Sequence, residues 1–350
     1  MFQDRVAPEA LTLPADAPAK VWIRHLAKYR DPNPARSGFE LAVTLLPFLG
    51  IWAAAWAMLS VSYWLAVALA LVNGLFLVRI FCIQHDCGHG SFFSNSTLSD
   101  WVGRALGILT ITPYDVWRRS HAIHHGAAGN LDARGFGDID TLTVEEYKAR
   151  SAWGRFKYRL YRNPVTLFLV GPAYVFFFEQ RLPIGYMTKG AKYWLSAMGT
   201  NVGIALILGV IVWFGGIMPL LLVFIPSTMM AAVLGVWLFY VQHQFEETHW
   251  DHKEEWQVHE AALHGSSHYV LPPVLAWFSA NIGIHHVHHL YSRIPFYRLP
   301  EVLRDHRQLA EANRMSISES IKTVGLQLWD EKSRRLMSFR DVHKMFSSAK

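Results

Sequence analysis

The sequence predicts an all-α integral membrane protein: four transmembrane helices, further helices lying at the membrane surface, and a cytosolic helical cap, together holding a two-metal site. Three observations carry this. Of 350 residues, 52% are hydrophobic and only 17% charged, Phe, Trp and Tyr together reach 14%, and the mean hydropathy is positive. That balance is foreign to a soluble domain and suits a chain with aromatic belts at lipid–water boundaries. Four apolar runs are long enough to cross a hydrocarbon core of about 30 Å as helices. Histidines recur in three dense clusters, each abutting an apolar segment.

Residues 1–38 are polar and carry Pro8, Pro14, Pro18, Pro32 and Pro34, which predicts a cytosolic N-terminal arm, partly disordered. No charged start is followed by an apolar run, so the arm is not a signal peptide. Residues 39–299 form the membrane domain. Its first span covers about 41–60, with Pro47 expected to kink it. The second covers about 64–83; only Arg79 interrupts it, near the end, where it is expected to snorkel to the surface. The uncharged link 60–63 makes the two an antiparallel hairpin. The third and fourth spans cover about 195–214 and 220–241, joined by 215–219, with Pro226 expected to bend the fourth. Three shorter apolar stretches, 101–113, 165–178 and 271–284, are too short to cross and read as interfacial. Residues 300–350 form the cytosolic cap, where Ile317, Ile321, Val324 and Leu328 recur at helical spacing.

Neither short link, 60–63 nor 215–219, holds a Lys or Arg, and nearly all 33 basic residues fall in the N-terminal arm, the middle region and the C-terminal region. The positive-inside rule then puts these three regions, both termini and all three histidine clusters on the cytosolic face. The net charge of +6 flanks apolar spans, so anionic lipid head groups explain it better than nucleic acid. Two cysteines, Cys82 and Cys87, cannot make a disulfide framework or ligate an iron–sulfur cluster within the chain.

The clusters are His85-x-x-x-His89, His121-x-x-His124-His125 and His285-His286-Val287-His288-His289. Residues at i, i+3 and i+4 share one helix face. Neutral imidazole is a good ligand for iron, zinc and copper. Eight histidines at this spacing exceed what one first-row ion takes and suit two. Structural zinc sites generally contain thiolates and close at four ligands, whereas imidazole on iron leaves positions that activate O2.

The three boxes, following apolar spans, resemble the membrane-bound fatty acid desaturase and hydroxylase superfamily over roughly residues 40–340. The stretches 85–93, 129–132, 137–138, 141–147 and 281–290 are similar to bacterial desaturases of the Δ12 (omega-6) acyl-lipid type. The resemblance implies a multi-pass protein of the bacterial inner membrane holding two Fe ions. It also implies an O2-dependent reaction that takes hydrogen from two adjacent methylenes of a lipid-, CoA- or carrier-linked acyl chain and leaves a cis double bond. It further implies a ninth ligand near the end of the fourth span, where His243 stands; His249, His264 and His268 are alternatives. The external electron donor would be a ferredoxin or a cytochrome b5-like protein, because no haem-binding His-Pro-Gly-Gly is present. The basic runs Arg118-Arg119, 150–162 and 332–335 fit such a donor or lipid head groups.

Around the ligands, Asp86, Asp138, Asp140, Glu246 and Glu247 are candidates to accept an imidazole N–H. His286 falls outside the minimal box and is expected to be beyond the metals or exposed. Asn281 is a candidate to bond a metal-held water. Cys87, at i+2 from His85, is expected to pack. Two other readings stay open: a lipid or carotenoid hydroxylase or ketolase with the same boxes, and a metal transporter or metal-stabilised scaffold. Transport needs ionisable residues lining a path through the spans, and their middles hold essentially none.

Overall fold

The computed structural model describes residues 18–135 and 137–347. The first 17 residues of the expected N-terminal arm, and residues 348–350 of the expected cap, lie outside it. Four helices are long and apolar enough to cross a membrane: Pro34–Met58, Tyr63–His89, Ala191–Gly215 and Leu220–His243. Each is longer than the apolar run that predicted it, because a helix ends where its capping chemistry ends and not where hydrophobicity fades. Asn33 caps the first span, its Oδ1 accepting from Arg36 N–H at 3.0 Å ahead of Pro34. That span runs through Pro47 without ending. Ser62 caps the second. The second stops only at Gly90, whose φ of +66° is the left-handed turn that closes a helix. Its 27 residues are about 40 Å long at 1.5 Å per residue, against a hydrocarbon core of about 30 Å. The last turns, with His85 and His89, belong to the spanning helix itself.

The second span is the central element, packed against the first, the fourth and the helix Ser96–Leu109. It meets the fourth most closely at Gly74, where a Cβ would lie 2.7 Å from Met230 Cβ and 2.9 Å from the Ser227 carbonyl oxygen. Ser227 Oγ donates to the Ala70 carbonyl at 2.8 Å and ties the crossing. On their outer faces the spans present large apolar side chains such as Leu46, Leu206 and Trp213.

Arg79 does not snorkel. It is 1% exposed, ion-paired with Glu40 of the first span, with Nε donating to Thr44 Oγ1 at 3.1 Å and its guanidinium 4.0 Å from the Trp277 ring. A buried partner on the neighbouring helix removes the need to reach the surface. Pro226 acts through the residues before it. Leu220–Phe224 is a π turn in which Ile225 N–H reaches back to the Leu220 carbonyl, immediately ahead of a residue with no N–H to give. Thr166–Val170 does the same before Gly171-Pro172.

The short apolar stretches form short elements: helices Ser96–Leu109, Gly171–Phe177 and Pro273–Phe278. The expected cap is not wholly helical. The helix Ile317–Thr323 stops ahead of Gly325, and Leu328 opens the strand Leu328–Asp330. This strand pairs antiparallel with Arg335–Met337 and parallel with Leu142–Thr143. Arg314–Met315 pairs parallel with His268–Tyr269. Ile317 and Ile321 are exposed, so the spacing that suggested one buried face ran across a helix end. The strands fasten the C-terminal region to the loops that follow the second box and precede the third.

Candidate metal centre

Four elements bring nine histidines together. The end of the second span carries His85 and His89, and the helix Tyr114–Ala127 carries His121, His124 and His125. The fourth span ends on His243, and the short helix His285–Leu290 carries the third box. The rings sort into two groups: His85, His89, His121, His125 and His288 in one, His124, His243, His285 and His289 in the other. Within each group one ring nitrogen per residue lies within 4.8 Å of the rest.

The boxes divide by a simple rule. Every i, i+4 pair (His85/His89, His121/His125, His285/His289) stays in one group, while the i+3 residue, His124 or His288, crosses to the other. At 3.6 residues per turn, i+4 lies about 40° from i and i+3 about 60° the other way. One helical turn thus serves two neighbouring sites. His125 and His289, stacked at 4.0 Å, bring the groups together.

The nitrogens point at one another. His121 Nε2 lies 3.0 Å from His89 Nε2 and 3.1 Å from His125 Nε2, which is 3.2 Å from His288 Nε2. His243 Nε2 lies 3.1 Å from His124 Nε2 and 3.0 Å from His285 Nε2. Imidazoles at right angles on one cation, with bonds of about 2.0–2.1 Å, place their nitrogens about 3 Å apart. His289 is buried with neither ring nitrogen hydrogen-bonded, a costly arrangement unless a cation takes its lone pair. Burial, reinforced by the neighbouring imidazoles, holds His121, His125, His285, His288 and His289 well below the usual imidazole range, so they are neutral and ready to ligate. The residues fit a pair of metal ions.

Several outer nitrogens are held from behind. His124 Nδ1–H donates to Asp138 Oδ1 at 2.6 Å, leaving Nε2 to face the group. Burial alone would raise the Asp138 carboxyl; its interaction with the His124 ring holds it below its ordinary range. His85 Nδ1–H donates to Asp86 Oδ1 at 3.2 Å, and Asp86 Oδ2 accepts from Phe296 N–H at 2.7 Å. His243 Nδ1–H reaches the Gly265 carbonyl at 3.3 Å.

The remaining candidates fall outside the groups. His286 is fully buried and donates Nε2–H to the Leu309 carbonyl at 2.8 Å, a tie to the C-terminal region. Asn281 sits at φ +55° in the turn before the third box and donates to the Phe296 carbonyl at 3.4 Å, instead of facing the histidines. Asp140 contributes its backbone, N–H to Tyr161 and carbonyl to Arg162. Glu246 and Glu247 are exposed. His249, His264 and His268 join neither group. Cys87 packs in the core. Two features were missed. Trp117 stacks on His121 at 4.7 Å; lying four residues before it, the same i+4 spacing could have found it. A cavity of about 540 Å³ opens beside His85, His121 and His285 and continues between the second and fourth spans; no local sequence signal marks it.

Comparison with known proteins agrees with this geometry. A family model described as fatty acid desaturase matches residues 62–320. A fatty acid desaturase of Bacillus subtilis (strain 168) is 40% identical over 321 residues, 91% of this chain and 90% of that protein. An sn-1 acyl-lipid omega-3 desaturase (ferredoxin) of Synechocystis sp. is 28% identical, covering 74% of this chain and 70% of that protein. A fatty acid conjugase of Calendula officinalis is 27% identical, covering 68% and 65%.

Proposed function

The chain belongs to the fatty acid desaturase family, and from that premise we propose that it is an O2-dependent di-iron enzyme of the bacterial inner membrane that places a cis double bond in a membrane-associated acyl chain. One observation carries the reading: two histidine groups side by side, sharing the mouth of an apolar cavity that runs down into the spanning helices. His85, His89, His121, His125 and His288 would hold one iron, and His124, His243, His285 and His289 the other. When bound, the irons supply the reduction of O2 that removes hydrogen from unactivated methylenes, a task no side chain can perform.

The protein's own part is placement. The cavity takes the acyl chain out of lipid, keeps water away and lays its methylenes against His85, His121 and His285. Asp138 and Asp86 fix ring orientation, so that the ligating nitrogens are set before substrate arrives. The reaction balances with a donor: two hydrogens from the chain, two electrons and two protons turn O2 into two waters. The electrons come from a separate acidic carrier such as a ferredoxin, the donor named for the Synechocystis relative. From the basic runs, the exposed Arg119, Arg150, Lys157 and Arg159 offer it a surface. The distribution of Lys and Arg supports a cytosolic side for the histidines and both termini. Similarity of the quoted stretches favours the Δ12 (omega-6) position.

Fatty acid profiling in a host that makes only saturated and monounsaturated chains tests the proposal. A new double bond and about two irons per chain are expected. A hydroxylated or ketone product, or zinc alone in the purified protein, overturns it.

A further inference from the structure

The cavity beside the histidines has a depth, a floor and one missing side chain. Along the fourth span it is lined from Gln242 down to Thr228. Those 14 residue steps (242 − 228) correspond to about 21 Å at 1.5 Å per residue. Near Thr228 and Leu77 the second and fourth spans meet at Gly74 without room for a methyl group and are tied by the Ser227–Ala70 hydrogen bond. That contact is the floor of the arm between these two spans. Its walls are apolar, with Leu77, Phe81, Ala231 and Leu238 among them. An ester, phosphate or other polar carrier would lose its water against those apolar walls, where Thr228 is the polar side chain at the lower end. A hydrocarbon terminus loses nothing and gains burial.

Gly235 lies midway, seven residue steps from either end (242 − 235 and 235 − 228). It lines the cavity, and a Cβ built on it meets no atom within 4 Å. A larger side chain therefore fits the helix and projects into the open arm. This contrasts with Gly74, where glycine is needed to let two helices touch. At Gly235 the absent side chain is what keeps the lower half of the arm connected to the histidines.

We propose that this arm receives the methyl-terminal part of the acyl chain and that Gly235 is a specificity-determining residue, setting how long a tail beyond the reacting carbons the enzyme accepts. The inference rests on the desaturase reading above. The full-length protein and its Gly235→Ala and Gly235→Leu variants are expressed in a host supplied with saturated acyl chains of graded length, and the unsaturated product is quantified for each length. In Gly235→Leu the ratio of longest-chain to shortest-chain product falls about tenfold, the discrimination one or two misfitting methylenes give. Product from the shortest chains persists, and Gly235→Ala shifts the same way by less. Gly209→Leu, on the exposed face of the third span, leaves the length profile where it was. Should Gly235→Leu fail to accumulate, Ala231→Leu, in the same wall, reads the same shift. An unchanged length profile in a Gly235→Leu protein that accumulates and holds its iron overturns the inference, as does an equal loss at every length. If the unaltered protein makes no double bond, the desaturase reading itself fails; if it does and only the profile is unmoved, the assignment of Gly235 alone falls.

Discussion

Two neighbouring stretches each hold several histidines and fold into opposite chemistry. Residues 285–289 hold four imidazoles, and residues 249–268 hold five. In the first, His285, His288 and His289 turn nitrogens toward other imidazole nitrogens. In the second, nitrogens turn toward groups that satisfy them. His249 Nε2 is 2.7 Å from Asp251, His252 bridges Asp132 and Glu331 at 3.0 and 2.9 Å, and His268 donates to the Ala310 carbonyl at 2.8 Å. The difference teaches that the number of histidines in a stretch does not identify a ligand. What identifies it is a lone pair with nothing but other lone pairs in front of it.

The contrast can be broken in four places. Removing an imidazole from either group, as in His124→Ala or His289→Ala, is expected to abolish product and lower bound iron from about two per chain to one or fewer. Metal counting and product profiling check it, and full activity in His124→Ala would show that the ligand set is wrong. Asp138→Ala keeps every ligand but loses the acceptor behind His124, and about a 10–100-fold loss of activity or metal affinity is expected; iron titration against wild type reads it. His286→Ala leaves the Leu309 carbonyl unpaired in the interior. The expected cost is about 1–3 kcal/mol of stability with iron retained, seen in thermal unfolding with metal analysis. Loss of iron there would erase the distinction between the two kinds of histidine.

The smallest effect belongs to His252. Hydrogen bonds to Glu331 and then Asp132 raise its pKa above the usual 6.5. A raised folded-state value means its contribution to stability is complete below about pH 6.5 and fades as pH rises through the folded value. The Tm gap between wild type and His252→Asn should therefore be small at pH 6 and vanish at higher pH. A gap that widens with pH would contradict the pairing.

The spans were legible because twenty apolar residues have few other uses, and the boxes because i, i+4 spacing survives folding unchanged. The division of each box between two groups was implicit in the same helical angles. His243 was legible only through resemblance, since a lone histidine at a helix end carries no spacing. Arg79 was misread because its partner Glu40 lies 39 residues away on another helix, and sequence shows a charge without its neighbour. Leu328 was misread because periodicity carries across a glycine that the backbone does not cross. The cavity depends on Gly74 closing one level of the spans while Gly235 opens another, and two glycines look alike until the helices are placed.

The Glu40–Arg79 pair has a consequence for how the chain enters the bilayer. A lone Arg in a spanning helix costs about 2.5–3.5 kcal/mol on insertion scales. Here its counter-charge sits on the preceding helix, and only the short link 59–62 separates the two. The economical unit of membrane integration is the helical hairpin and not the single helix, with both charges buried as a neutral couple. Biogenesis would then deliver the strut that carries the first box already paired, before any histidine of the other boxes has been synthesised.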